Sequence, residues 1–239
     1  MFILITRQLE QSEKFADILN KKNIKNVILP VIQIKKIKLK TIDLENIKNS
    51  NFVIFTSQNS ATLLIQQLDI KNLIDKKIAA IGVSTKKKLN DLGVHVDIFP
   101  ESDFTSESLF EEIESNNIVN KKIIIVKGVG GRNYLHKKLS KDNHMLDALD
   151  IYERELPSNI SYLTMPIFSS VTHICITSIA VLDNFIKISN ILKFKISENV
   201  TFVAGNERIA QVVKEFFPRN KIIVSLNPSN MEMLNTLLD

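Results

Sequence analysis

Short apolar runs alternate with segments of helical periodicity along most of the chain. The apolar runs predict strands at 2–5, 26–30, 52–55, 78–81, 94–99, 123–126, 174–176, 201–204 and 222–224. Helical spacing predicts helices at 11–19, 60–68, 84–92 and 106–113, another ending near 139, and one after each of the last three strands. This order indicates an α/β fold with parallel sheets covered by helices on both faces.

Two longer segments, 31–39 and 149–156, break the alternation because they mix apolar and charged residues. Both are too polar for the centre of a parallel sheet, so we predict that they pair with each other as a two-stranded β-ladder. The ladder could join a continuous middle domain to a discontinuous domain built from both ends of the chain. Two tandem domains, each one repeat long, are the alternative, and the pattern alone does not separate these arrangements.

An internal repeat indicates a duplicated α/β unit. The segment 51–57 reads Asn-Phe-Val-Ile-Phe-Thr-Ser, and 172–178 reads Thr-His-Ile-Cys-Ile-Thr-Ser. The matching pairs are Thr56 with Thr177, Gly82 with Gly205 and Ser106 with Ser229, at offsets of 121, 123 and 123 residues. An offset that is nearly constant over this length favours duplication.

The composition is that of an ordinary globular protein, with 239 residues, 44% hydrophobic and 24% charged. No apolar run approaches the roughly 20 residues of a membrane helix, and the N-terminal run is too short for a signal peptide. A cytoplasmic protein with no membrane partner is therefore predicted. The net charge of +5 comes from dispersed lysines, which favours an acidic small molecule over nucleic acid.

Candidate chemistry lies at the carboxyl ends of the predicted strands, where open parallel sheets bind ligands. These ends carry hydroxyls, glycines and cations: Thr6, Arg7, Thr56, Ser57, Gly82, Lys127, Gly128, Thr177, Ser178, Gly205 and Asn227. The N–H groups of the helix N-termini that follow favour anions. Helix capping explains any one Thr-Ser pair equally well. Matched hydroxyls in both repeats tilt the balance toward an anion-binding cleft between two lobes.

Other catalytic motifs are weak or absent. The loop 128–132 lacks the Gly-Lys-Ser/Thr ending of a P-loop and the glycine spacing of a dinucleotide fingerprint. The four histidines show no ligand spacing, so no metal site is predicted. The nucleophile elbow of an α/β-hydrolase is missing, as is the aspartate cluster of a receiver domain. The single cysteine, Cys175, lies in an apolar run and is predicted to belong to the core.

A series of short sequence pieces runs through almost the whole chain. They are Ile5-Thr6-Arg7, Leu29-Pro30-Val31-Ile32, Ile54-Phe55-Thr56-Ser57, Ile81-Gly82 with Thr85, Phe99-Pro100, Lys127-Gly128 with Gly131-Arg132, Ile151-Tyr152-Glu153-Arg154, Ile176-Thr177-Ser178, Gly205, and Ser229 ahead of Met233-Leu234. In their order and spacing these pieces resemble the uroporphyrinogen-III synthase family of tetrapyrrole biosynthesis.

The resemblance implies an α/β fold of two lobes, each with a parallel, flavodoxin-like sheet flanked by helices, joined by the β-ladder. The expected boundaries are 1–30 with 158–239 for a discontinuous lobe, 31–41 and 148–157 for the ladder, and 42–147 for the second lobe. It implies a cyclising hydro-lyase of porphyrin and haem biosynthesis that needs no cofactor or metal. The substrate would be hydroxymethylbilane, a linear tetrapyrrole polycarboxylate, closed with loss of water and inversion of ring D through a spiro intermediate. A monomer is expected.

The resemblance also implies roles for single residues. Tyr152 matches the family's tyrosine on the returning ladder strand and would donate a proton to the departing hydroxyl; without the family, a half-buried strand aromatic is the simpler interpretation. The substrate-binding residues would be Thr6, Arg7, Thr56, Ser57, Gly82, Thr85, Lys127, Gly128, Arg132, Thr177, Ser178, Gly205, Arg208 and Ser229.

Two of these assignments carry alternatives. Arg208 stands where the first repeat has the hydroxyl of Thr85, and it either binds a substrate carboxylate or faces solvent. Thr6 and Arg7 would bind a carboxylate or close a salt bridge between the lobes. Because the hydroxyl is lost at Arg208, a non-catalytic two-lobed module that binds or senses an acidic small molecule is the alternative function.

Overall fold

Two five-stranded sheets organise the protein in a computed structural model, which describes residues 1–116, 118–131, 133–141, 144–158 and 169–239. The strands are β1 (Phe2–Ile5), β2 (Lys25–Ile28), β3 (Gln33–Lys36), β4 (Phe52–Phe55), β5 (Lys77–Ala80), β6 (Lys122–Gly128), β7 (Met145–Glu155), β8 (His173–Ile176), β9 (Thr201–Ala204) and β10 (Ile222–Val224). The α-helices are α1 (Leu9–Lys21), α2 (Thr41–Lys48), α3 (Gln58–Ile65), α4 (Val83–Asp91), α5 (Ser106–Ser115), α6 (Tyr134–Leu139), α7 (Ile179–Ile191), α8 (Glu207–Phe216) and α9 (Asn230–Leu238). Over the described ranges, none of the helices has both the length and the apolar character that crossing a membrane requires.

The chain divides into two compact units, Met1–Ile34 with Glu155–Asp239 and Lys35–Arg154. The first unit has the strand order β2-β1-β8-β9-β10, and every adjacent pair is parallel. Counted along this unit, the order is that of the doubly wound, flavodoxin-like sheet. Alternate strand residues belong to two apolar clusters, one formed with α7 and α8 and the other with α1 and α9, so helices cover both faces.

The second sheet has the order β3-β7-β6-β4-β5, in which β7, β6, β4 and β5 run parallel. One face packs against α5 and α6 in a single apolar cluster. Helix α3 contacts β4 and β6, and α4 contacts β5, which covers the other face. Gly93, at φ +81°, ends α4 in the left-handed conformation that its position after the helix predicts.

The internal repeat occupies equivalent positions in the two sheets. The run β4-α3-β5-α4 matches β8-α7-β9-α8, and both contain an adjacent parallel strand pair. Beside β5, Ile98 forms a single parallel bridge with Ala79, at the place that β10 takes beside β9. On the other side of β4, the second sheet continues with β6 and β7, which follow the repeat in sequence. On the other side of β8, the first sheet continues with β1 and β2, which come from the N-terminus. One unit therefore holds a continuous copy of the repeat and the other a circularly permuted copy.

The predicted fold class is confirmed: two parallel-rich sheets flanked by helices, with the extended segments β3 and β7 as neighbours. Three details of the prediction are wrong. The strand expected at 94–99 is only the Ile98 bridge, and α2 was not predicted because Ile47 is its one buried residue. Strand β6 continues through Lys127 and Gly128, although the sequence predicted that it ends at 126.

The expected lobe boundaries stay a prediction, which fragments of the chain can test. We expect residues 35–154 to fold alone, because they contain a complete copy of the repeat with its own core. Residues 155–239 lack β1, which leaves an open edge on β8, where Ile174, Cys175 and Ile176 are fully buried in the intact protein. We expect this fragment to unfold or aggregate until a peptide of residues 1–34 is added. Thermal unfolding followed by circular dichroism checks both expectations; failure of 35–154 to unfold cooperatively, or independent folding of 155–239, would contradict them.

Candidate active site

In the second sheet the chain moves outward from β4 to β5 on one side and from β6 to β7 on the other. The strand order therefore reverses between β4 and β6. Such a switch point opens a crevice at the carboxyl ends of the strands, where α/β sheets bind ligands. A cavity of about 200 Å³ lies there. Its lining includes hydroxyls, a phenol and cationic side chains, contributed by Thr56, Ser57, Ser106, Lys127, Tyr152 and Arg154.

The Thr56-Ser57 pair fixes the β4 side of the cavity. Thr56 Oγ1 donates a hydrogen bond to the Val126 carbonyl at 3.1 Å, which ties β4 to β6. Ser57 is the N-cap of α3: its Oγ accepts a hydrogen bond from the Ser60 N–H at 3.1 Å, and Ser60 Oγ donates to the Ser57 carbonyl at 2.7 Å. The capping role considered for this pair is thus present in the structure, and it holds the Ser57 hydroxyl in a fixed place.

Tyr152 supplies the phenol of the site and is almost fully buried, with 1% of its surface exposed. Its Oη lies 3.1 Å from Ser57 Oγ and accepts a hydrogen bond from Arg154 Nη2 at 2.9 Å. Since Ser57 Oγ already accepts the Ser60 N–H, its own proton is available to Tyr152 Oη. In that arrangement the phenol oxygen accepts two hydrogen bonds and keeps its proton for a group in the cavity.

A local irregularity between β6 and β7 brings the tyrosine to this place. Lys127 lies opposite Asp150, whereas Gly128 lies opposite Tyr152, so Ile151 is an extra residue in β7. Such a β-bulge re-aims the side chains that follow it. The ring then packs on the backbone of β6, where a Cβ on Gly128 would lie 2.5 Å from Tyr152 Cζ. Residue 128 must therefore be glycine for the ring to occupy this position.

The two cationic side chains of the cavity, Lys127 and Arg154, differ in whether an acidic partner balances their charge. Lys127 Nζ lies 3.0 Å from Asp150 Oδ1, and its side chain is only 13% exposed, so its charge is largely balanced. Arg154 is exposed and directs its guanidinium toward the phenol, with Cζ 5.1 Å from the ring centroid. Across the described part of the chain, no group of three or more His, Cys, Asp or Glu side chains is placed to hold a metal ion.

At the matching strand ends of the first unit, on β8 and β1, the described polar side chains form hydrogen bonds within the protein. Ser178 caps α7 by accepting the Val181 N–H at 3.1 Å, as Ser57 caps α3. At the end of β1, Thr6 Oγ1 donates to the Cys175 carbonyl. Burial raises the pKa of the Cys175 thiol to about 12, an effect that the nearby Arg7 partly opposes.

By the registers of the two sheets, Arg7 occupies, beyond the end of β1, the place that Lys127 has in β6. Its Nη1 donates to Asn230 Oδ1 at 2.7 Å and its Nη2 to the Pro228 carbonyl at 2.6 Å. The guanidinium also lies 5.6 Å from the ring centroid of Phe15. Only 7% of Arg7 is exposed, and burial lowers its pKa. The arginine thus anchors the start of α9.

The predicted site residues fall into separate groups. Five of them line the cavity of the second unit: Thr56, Ser57, Lys127, Gly128 and Tyr152. Seven lie in the first unit, at the carboxyl ends of its strands or on the segments that follow: Thr6, Arg7, Thr177, Ser178, Gly205, Arg208 and Ser229. Their binding of a substrate stays a prediction, and Arg132 lies outside the described residues.

Burial and packing describe three further aspects of the predicted positions. Thr85 is 3% exposed on the inner side of α4 and lies outside the described cavity lining, so its binding of a substrate stays a prediction. Arg208 is exposed on α8, which fits the solvent-facing alternative. At Gly205 a Cβ would lie 2.8 Å from Pro228 Cβ, so this glycine allows close packing of the loop before α9.

The sequence interpretation missed four polar residues of the cavity: Ser106, Asn133, His136 and Arg154. Arg154 could have been found, because residues two apart on a strand share one face and Tyr152 was already singled out. Ser106 could have been found through its match with Ser229 in the repeat. Asn133 and His136 come from the segment around α6, whose approach to the cavity depends on tertiary packing and leaves no local signal.

The fold and the cavity define a protein with two doubly wound α/β units and a phenol-lined cavity at a switch point. Comparison with known proteins then gives the family. The family model described as "Uroporphyrinogen-III synthase HemD" matches residues 13–234, and the chain belongs to the uroporphyrinogen-III synthase family.

Two relatives agree with this assignment, and a solved structure shares the fold. A Methanocaldococcus jannaschii protein whose uroporphyrinogen-III synthase name is provisional is 30% identical over 164 residues, which cover 67% of this chain and 65% of that relative. The uroporphyrinogen-III synthase of Proteus mirabilis is 26% identical over 64% of this chain and 80% of its own length. The structure of uroporphyrinogen-III synthetase from Helicobacter pylori covers 99% of this chain and 97% of its own, with a TM-score of 0.66 and 19% identity, which supports the shared fold.

The contact between Gly128 and Tyr152 can be tested through stability. We expect Gly128→Ala to lower the free energy of unfolding by about 1–3 kcal/mol, because the added methyl group overpacks against the ring. Gly131→Ala is the matched control, since its Cβ meets no heavy atom closer than the Gly128 carbonyl oxygen at 3.4 Å. Urea unfolding of both variants gives the comparison, and equal stability of the two would refute the close packing of the ring.

Proposed function

We propose that this chain has uroporphyrinogen-III synthase activity. In this proposal it closes hydroxymethylbilane to uroporphyrinogen III with loss of water and inversion of ring D, through a spiro intermediate. Family membership supports the reaction class. The observation that carries the mechanism is the phenol of Tyr152, held by Ser57 and Arg154 beside the cavity at the switch point.

The proposed reaction needs a proton at the departing hydroxyl, because hydroxide is a poor leaving group and water a good one. The Tyr152 phenol is the proposed donor, and its proton leaves with the hydroxyl as water. Ring closure later releases one proton from the tetrapyrrole, which restores the phenol, so atoms and charge balance over the cycle. Ser57 and Arg154 would hold the phenol oxygen throughout.

The size of the cavity limits what it can enclose. At about 200 Å³ it is smaller than the roughly 300–1,000 Å³ of typical ligand pockets. In our proposal it takes the reacting end of the tetrapyrrole, while the remaining rings and carboxylates bind outside it. Most of the rate acceleration would then come from holding a reactive, flexible substrate in a folded conformation.

The proposal includes the setting in which the enzyme works. The net charge of +5 suits a polycarboxylate substrate, and its dispersion over the chain speaks against a nucleic-acid partner. We propose a monomer in the cytoplasm that acts on this small molecule without a membrane. The predicted roles of Thr6, Thr177, Ser178 and Ser229 in binding carboxylates of the same substrate belong to this proposal as well.

Isomer analysis tests the activity directly. We expect purified protein and hydroxymethylbilane to yield mainly the type III isomer, identified by chromatography after oxidation to the porphyrin. The control is the same incubation with heat-denatured protein, which gives the spontaneous type I product. Type I product alone from the native protein would reject the enzyme and favour the non-catalytic binding module.

Substitution of the tyrosine tests the mechanism. We expect Tyr152→Phe to lower kcat by about 100-fold or more, the range expected for loss of a general acid. Binding of the uroporphyrinogen III product should change much less, because the phenyl ring still packs on Gly128. Steady-state kinetics and product titration give the two quantities. Unchanged kinetics would remove Tyr152 from the mechanism.

A further inference from the structure

Arg154 contacts the central phenol of the site although the sequence interpretation gave it no role. Its Nη2 donates to Tyr152 Oη at 2.9 Å, and its Cζ lies 5.1 Å from the centroid of the ring. The two residues are two positions apart on β7 and therefore project to the same side of the strand. The backbone itself thus brings the guanidinium to the phenol oxygen.

The hydrogen bond between Arg154 and Tyr152 joins a charged, solvated guanidinium to a buried phenol. Arg154 is exposed, whereas Tyr152 is 1% exposed. A guanidinium keeps its charge and all of its protons under conditions in which proteins stay folded. Arg154 therefore cannot replace the phenol as an acid, but it offers a permanent positive charge to whatever charge the phenol oxygen carries.

We infer that Arg154 is a positioning residue that stabilises the negative charge forming on Tyr152 Oη while the phenol gives its proton to the departing hydroxyl; this inference rests on the proposed function. A hydrogen bond from a charged donor strengthens when its acceptor becomes an anion. The Ser57 hydroxyl, at 3.1 Å from the same oxygen, adds a neutral donor. The stabilisation is larger in the transition state than in the bound substrate, so it acts on kcat.

A different role for Arg154 makes a different kinetic prediction. An exposed guanidinium at the cavity could bind a substrate carboxylate directly. That contact would exist already in the bound substrate, so its loss would raise KM and leave kcat nearly unchanged. The rise in KM would also be the same whether or not residue 152 has a hydroxyl.

The test compares Arg154→Met and Arg154→Lys, each alone and combined with Tyr152→Phe, in assays of type III formation. Arg219→Met is the matched control, because Arg219 is an exposed arginine in an ion pair with Glu198 in the first unit and its loss changes the net charge equally. We expect Arg154→Met to lower kcat by about 10- to 100-fold, less than a fully enclosed oxyanion donor contributes, since Arg154 is solvated. KM should stay within about threefold, Arg154→Lys should lie between wild type and Arg154→Met, and Arg219→Met should match wild type.

The combined variants decide the inference. In the Tyr152→Phe background no phenol oxygen is present, so Arg154→Met should change kcat by less than about twofold. An equal loss of kcat in both backgrounds, or a rise in KM at constant kcat, would overturn the inference. Urea unfolding of Arg154→Met checks folding, and the charge-retaining Arg154→Lys gives the comparison if the Met variant is unstable. A wild-type protein that makes no type III isomer would instead reject the proposed function itself.

Discussion

Direct packing of the Tyr152 ring on the backbone at Gly128 is the contact on which the candidate site depends. It brings the phenol oxygen within hydrogen-bonding distance of Ser57 and Arg154 and keeps it at the cavity. Each partner is fixed by a separate element: Ser57 by its cap on α3, Arg154 by its place on β7, and Gly128 by the end of β6. The phenol and its partners are therefore held by β6, β7 and the start of α3.

The two units show how one strand order can carry different chemistry. In each, a Thr-Ser pair ends the strand on one side of the switch point, and the serine caps the next helix. On the opposite side of the switch point, the matching position holds Lys127 in the second unit and Arg7 in the first. Lys127 lines the cavity and forms an ion pair with Asp150, whereas the buried Arg7 binds Pro228 and Asn230. The duplicated fold thus carries a cation at one position in both copies but gives it different partners in each.

The sequence predicted those parts of the structure that depend on burial and local backbone chemistry. Strands β1 and β4 were predicted with their observed bounds, because their continuous apolar runs are buried on both faces. The same argument failed for the segment 94–99. Val94 and Val96 are only 5% and 6% exposed, but the Val94 N–H donates a hydrogen bond to the Leu89 carbonyl near the end of α4 instead of pairing with a strand. Apolar residues there signal burial and not strand pairing. Likewise the cavity and the Arg154 contact arise from which strands lie side by side, and local periodicity does not encode that order.

The extra residue in β7 has a consequence for how such a chain can change over time. Ile151 shifts the register between β6 and β7 by one position just before Tyr152. The residues of β7 that face the core before Ile151 therefore do not determine which residues face the cavity after it. Core side chains of β7 can then be exchanged without moving the phenol, whereas the loss of one residue would remove the bulge that re-aims Tyr152. The site therefore constrains the number of residues in β7 as well as the identity of Tyr152.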